Sequence, residues 1–526
     1  MSLDPQQLAK LRTVINENLR VQRAGAKPVP YIDVSSALSD ICARQNHAIF
    51  ARRGCGKTLL LHHSAKQLPE GIQTIYLNCE DFKHHSFPNV LIEILDSLFA
   101  ELQCNLSGWF GKKKRSRELI AEIRREMTRL REQEDETQTE VVESHTTKDE
   151  KGKKTSGSLE LEGFGLAGES TRVQGTGTAI EVRYAQRTAK LRELNTWLPQ
   201  LKRQIREFFE LSVTVKAVFL QLDDFYHLAR FDQPDVMDYL HRLCKDLPLY
   251  FKVATLRHSS TLYADRSGQP IGAQERHDYQ PINIDFAFAD FRKTATQNRQ
   301  IFGEFAKLAG LDADDIDVLF KGEGFDRLIM AGGGVPRDCL SLFLEALQGA
   351  SQGDGRIGKD DVRIMSRSNF ERRIEELKQD SAGDEQATLI RGIYVLRKFC
   401  IDKKTNIMMV SEEMMQQEDQ IRMLLYRLLD YRIIHSSGAA LTHKSSPGTY
   451  QAYAIDIGCY AHMRKLQGKF TEIDVTDTGA REKMRSAPIL TRAHFVDLWS
   501  TAPEDVESAL RNEDEESGKQ EGGAAE

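Results

Sequence analysis

The sequence predicts an α/β fold: an open, mostly parallel sheet with helices between its strands, then a helical segment and a small mixed unit. Three observations predict it. Short apolar runs at 74–79, 217–224, 249–257 and 282–286, and one ending in Ile49-Phe50-Ala51, suit strands of a covered sheet. Segments of helical periodicity separate them. From 385 to 460 the pattern changes to helix–strand–helix–helix–strand–loop–strand.

The first strand runs into Arg52-Arg53-Gly54-Cys55-Gly56-Lys57-Thr58, and Leu59-Leu60-Leu61 then opens a helix. This strand–loop–helix context holds a nucleoside triphosphate. Gly54 and Gly56 let backbone N–H groups turn inward to cradle phosphate oxygens. Lys57 reaches the β- and γ-phosphates, and the Thr58 hydroxyl is a ligand for Mg²⁺. Residues 53–59 (Arg53, Gly54, Cys55, Gly56, Lys57, Thr58 and Leu59) form the expected nucleotide contacts. Ala51 stands where the full pattern has glycine. Cys55 is either a small filler or a redox-sensitive thiol.

The run 217–222 ends in Asp223-Asp224. Asp223 is placed to hold Mg²⁺, and Asp224 to orient or activate the attacking water. Asp224 is one methylene shorter than the commoner Glu, which points to slow or conformation-dependent hydrolysis. Thr255 and Arg257 close the next strand, on the ligand side of an open sheet. Arg257 is either a group that neutralises transition-state charge or an ordinary surface arginine. In Gly332-Gly333-Gly334-Val335-Pro336-Arg337 the glycines end one helix and the proline starts another. Arg337 falls in its first turn, aimed at a phosphate from a lid.

With these four elements in order, the chain resembles AAA+-related P-loop ATPases of the origin-recognition (initiator) type, close to the signalling STAND branch. The resemblance covers about residues 30–350, with an interruption. It implies a P-loop NTPase core of the ASCE class with strand order 5-1-4-3-2, a helical lid and a C-terminal winged helix. By that likeness Lys57 and Thr58 are Walker A, Asp223 and Asp224 Walker B, Arg257 a sensor-1 arginine and Arg337 the sensor-2 arginine. No arginine finger acting between subunits stands out.

The 526 residues suffice for two to four domains. A net charge of −6 leaves nucleic-acid binding to a local patch. The eight cysteines include no Cys-x-x-Cys pair, which argues against a zinc site. Without a leader-like start or a membrane-length apolar run, the expectation is a cytoplasmic protein with reduced thiols.

Residues 1–29 read as a charged helix, 30–286 as the ATPase core, 287–380 as the lid, 385–465 as the winged-helix domain, and 466–526 as a polar linker and acidic, disordered tail. Residues 108–210 read as an insertion, a helical hairpin with a flexible glycine-rich tip and a weak β-hairpin at 159–182. Leu191, Leu194, Leu198, Leu201, Ile205 and Phe208 form a heptad seam, with a kink or break expected at Pro199. The arm is either partner-sensing or a solvated appendage. In the winged helix, Gln420, Arg422, Tyr426 and Arg427 would face duplex DNA, with His443 and Lys444 on the wing; docking of a protein is the other use. The expected function is an ATP-hydrolysing switch, assembling as a nucleotide-dependent homo-oligomer, in DNA transactions or anti-phage defence. A nucleotide-stabilised scaffold without turnover is the alternative, and a phosphotransferase a weaker one.

Overall fold

The computed structural model describes residues 5–19, 29–104, 112–132, 177–266, 268–350, 355–381, 383–461, 470–477 and 479–512. Its central sheet is built from β1 (His47–Phe50), β2 (Ile72–Asn78), β3 (Ala217–Asp223) and β4 (Leu249–Thr255). After a hairpin of β5 (Tyr263–Arg266) and β6 (Gln269–Gly272), β7 (Gln280–Asn283) completes it. The spatial order is β2-β3-β4-β1-β7, and every neighbouring pair is parallel. Every residue of β3 is buried, as expected of a strand covered on both faces. The last strand stops at Asn283, short of the expected 282–286, and leaves Asp285 free to act as a side-chain partner.

The insertion is part of the core. Helices Lys112–Glu132 and Gly177–Leu211 bury Leu119, Ile123, Met127, Leu130, Leu194, Leu198, Leu201, Ile205 and Phe208. These side chains share one apolar cluster with β2, β3 and helix Asn89–Cys104. A solvated appendage is therefore the wrong description. The helix also continues through Pro199, where a break was expected. Pro199 is exposed, while Leu198 and Leu201 beside it are buried, so the seam packs without the proline entering the interface. The glycine-rich tip at 133–176 lies outside the described residues. From Gly177 the chain is helical, so the expected strand at 173–182 is not one at its described end.

Helix Pro5–Asn18 packs Leu11 and Ile15 on helix Phe291–Ala309. The helices from 291 to 380 share one core with the C-terminal unit. That unit comprises helix Gly383–Asp402, β8 (Ile407–Ser411), helices Glu412–Gln417 and Asp419–Asp430, β9 (Ile434–Thr442) and β10 (Thr449–Ile455). Its strands are antiparallel in the order β8-β10-β9. Ser411 caps the helix after β8, its hydroxyl accepting from the Met414 N–H.

The segment after 466 differs from the expected polar tail. Helices Arg492–Ser500 and Val506–Asn512 bury Phe495, Trp499 and Leu510 against helix Gly383–Asp402. Arg391 Nη2 donates to Trp499 O at 2.6 Å and Arg397 Nη1 to Leu510 O at 3.3 Å. Residues 513–526 lie outside the described residues. Among the described residues no helix is long and apolar enough to cross a membrane.

Candidate functional site

The loop after β1 closes one side of a cavity of about 1520 Å³. Gly54 and Gly56 adopt φ of 85° and 92°, the left-handed region open to glycine. A Cβ at Gly54 would lie 2.9 Å from both Arg337 Cβ and Val335 Cγ1, so the loop also needs glycine for close approach to the helical segment. Ala51 is not among the left-handed residues. It continues the strand, its N–H donating to Thr255 O at 3.4 Å, which explains why alanine serves there.

Helix Lys57–Gln67 starts directly at the loop, so its free N–H groups face the cavity. Lys57 is buried, with Nζ donating to Ala51 O at 2.9 Å and Arg52 O at 3.3 Å. Burial pulls its pKa below the usual lysine value, against the charge of Asp224. Thr58 Oγ1 donates to Asp223 Oδ2 at 2.6 Å. Tyr76 Oη reaches the same oxygen at 2.8 Å, and the Asp224 N–H reaches Asp223 Oδ1 at 2.9 Å. A hydroxyl and a fixed carboxylate side by side are hard oxygen donors that fit Mg²⁺.

Asp224 takes a left-handed conformation (φ 50°, ψ 41°), which an Asp tolerates better than most residues. Burial raises its carboxyl pKa, and the Asp223 charge adds to this; Lys57 and Arg53 oppose it. A raised carboxyl pKa makes its carboxylate form the stronger base, which suits a proton acceptor. Arg53, Gly54, Cys55, Gly56, Lys57, Thr58, Leu59, Asp223, Asp224 and Arg337 all line the cavity. The Arg337 N–H approaches Gly54 O at 3.4 Å.

Arg257 is not among the lining residues. It pairs with Glu275 at 2.9 Å, its guanidinium 4.4 Å from the Phe50 ring centre. The position at the end of β4 predicted proximity to the site, but the strand stops at Thr255 and the chain turns away. Cys55 is buried, and burial with the Asp285 charge pushes its thiol well up, so it is no reactive thiolate.

Sequence reasoning missed several lining residues. Tyr226 stacks under the Arg53 guanidinium at 4.7 Å and lies 6.0 Å from Lys57 Nζ. Its place just after Asp-Asp was the available signal. Asp380 forms an ion pair with Arg53 from the end of helix Lys359–Asp380, and nothing in its local sequence marked it.

Arg52 turns the other way. It donates to Asp285 (Nε 2.5 Å, Nη2 2.8 Å), to Gly333 O at 2.9 Å and to His435 Nδ1 at 3.1 Å. Arg432 binds the Arg53 carbonyl at 3.2 Å. The C-terminal unit thus grips the loop directly. Helix Asp419–Asp430, read from sequence as facing either DNA or a protein partner, docks on the core. Tyr426 stacks on His258 with ring centres 4.2 Å apart, and Arg427 and Asp430 bind Ser259 at 2.8 and 2.6 Å.

No protein-family model matches the chain, and no curated protein matches it. Among solved structures, a Walker-type ATPase of Pyrococcus abyssi aligns with 83% of this chain and 99% of its own, at 12% identity and a TM-score of 0.38.

Proposed function

We propose that the chain is an ATP-binding and ATP-hydrolysing molecular switch, of the AAA+-related initiator and STAND kind, with a winged helix formed by residues 385–465. The observation that carries the reading is the convergence on one cavity of a left-handed glycine loop, Lys57, the Thr58–Asp223 pair, Asp224 and Arg337. Backbone N–H groups and Lys57 bind the phosphates, and Arg337 binds them from the helical side. Thr58 and Asp223 would hold Mg²⁺, which would supply neutralisation of the phosphate charge. In hydrolysis a water oxygen bonds to the γ-phosphorus. The bond to the β–γ bridging oxygen breaks, with its electron pair leaving on ADP. Asp224 orients the water and accepts its proton.

The docking of helix Asp419–Asp430 on the loop after β4 supports the switch. Ser259, which binds Arg427 and Asp430, follows β4 by only a few residues. Nucleotide-dependent movement there would release the helix toward duplex DNA or a protein partner, or for assembly with further copies of the chain.

The test is phosphate release by the full chain, with and without duplex DNA, against Lys57→Ala. Lys57-dependent turnover is expected, and a rise with DNA would assign the freed helix to DNA. ATP binding with no turnover under either condition would overturn hydrolysis and leave the scaffold.

A further inference from the structure

Resting on that nucleotide reading, we infer that Arg53 is a catalytic residue held in reserve: its guanidinium exchanges between the Asp380 carboxylate and the terminal phosphoryl group of a bound nucleoside triphosphate.

Three observations carry this. Arg53 belongs to the phosphate loop itself, and its side chain faces the cavity. Its guanidinium lies 4.7 Å from the Tyr226 ring centre, while Lys57 Nζ lies 6.0 Å from the same centre. Both cations therefore lie near one aromatic ring, and both line the cavity in which a phosphate would sit. Second, the present charged partner is a single carboxylate in a partly exposed setting, with the Tyr226 side chain as the other neighbour. The Arg53 and Asp380 side chains keep 21% and 25% of their exposure, so the pair exchanges without unburying a charge. Third, Arg53 Nε is buried without a hydrogen-bond partner. The guanidinium fork is under-used where it stands. A phosphoryl group offers more charge and a face that two parallel N–H donors match.

Arg53 moves no proton and forms no bond. It donates hydrogen bonds to the γ-phosphoryl oxygens while the bond to the bridging oxygen breaks, where fixed donors lower the barrier. This gives the chain an internal source of the positive charge for which no finger from a neighbouring subunit is evident in the sequence.

The exchange also has a mechanical side. Helix Lys359–Asp380 carries Glu376, paired with Arg432, and Arg373, whose Nη1 binds Asp456 and Arg432 O and whose Nη2 binds Asp338 at 3.3 Å. Arg432 in turn holds the Arg53 carbonyl. When Arg53 leaves Asp380, a link between the loop and the helical segment that packs on the C-terminal unit opens. A triphosphate would open it and a diphosphate would not.

The experiment compares the full chain with Asp380→Asn, Arg53→Lys, Arg53→Ala, the Arg53→Ala/Asp380→Asn double variant and Lys57→Ala. Melting curves first establish that each is folded. ATP turnover and the dissociation constants of MgATP and MgADP are then measured. Asp380→Asn is expected to tighten ATP several-fold with ADP unchanged, and to raise turnover. Arg53→Ala should lower turnover about 100-fold, the loss expected for one transition-state donor, and Arg53→Lys should recover little of it. The double variant should match Arg53→Ala, because freeing an absent side chain does nothing. An equal effect of Asp380→Asn on ATP and ADP, or a gain that survives in the double variant, would overturn the exchange. Turnover that needs Lys57 but not Arg53 would sink this inference alone. Failure to bind ATP would sink it together with the nucleotide reading.

Discussion

Arg52 and Arg53 are neighbours with opposite uses: Arg53 faces the cavity, and Arg52 is consumed by structure. Because Arg52 can only donate, His435 Nδ1 must present a lone pair, and Nε2–H donates to Asp456 at 3.1 Å. His435 is thus neutral, and burial holds its pKa down at about 4, against the attraction of Asp456. Arg52 and Arg373 also face the ring and oppose its charging. In the unfolded chain it titrates near ~6.5. Between these values the unfolded state binds more protons, so stability is complete at neutral pH and falls as pH drops from ~6.5 toward 4. The expected loss from this group is about 2 kcal/mol between pH 7 and 5. Urea unfolding at both pH values should show it, and His435→Asn should lack that part of the slope. At this scale the sequence was informative on which side chains meet at one cavity, as for Lys57, Thr58, Asp223, Asp224 and Arg337. It was silent on Asp380 and His435, whose roles arise from chain segments far from the loop.

Among elements, the strands of the central sheet were readable as short, mostly apolar runs, and the helical seam because its period is regular; the hairpin of β5 and β6, polar and nowhere fully buried, was not. The continuity through Pro199 was not readable, since it depends on a balance. An interior proline costs about 3 kcal/mol. Leu194, Leu198, Leu201, Ile205 and Phe208 each contribute roughly 1.5–3 kcal/mol on burial, so packing wins. Phe208→Ala is therefore expected to destabilise the sheet and the helices packed on it by about 3–5 kcal/mol, as a core truncation does; a value near zero in denaturant unfolding would return the arm to the status of an appendage. The helices after 490 escaped notice for the reverse reason. Phe495, Leu498 and Trp499 form only a short apolar face, and its partner surface on helix Gly383–Asp402 lies a hundred residues upstream in sequence.

At the scale of the whole molecule, separate apolar cores meet around one loop. One joins the insertion to β2 and β3, one lies under helix Lys57–Gln67, and one unites the helical segment with the C-terminal unit. A ligand seated at their junction stabilises them together. MgATP at a hundred times its dissociation constant should add about 2.7 kcal/mol, visible as a higher melting temperature in the parent chain and absent in Lys57→Ala. The order of the sheet has a consequence for how the protein is made. β1 is flanked by β4 and β7, and Arg52 is tied down by Asp285, Gly333 and His435. The loop therefore emerges well before its fastening to His435, which follows 383 residues later. A chain that stops short of His435 lacks this fastening of Arg52, so any nucleotide capture is expected to be weaker in such fragments than in the full chain.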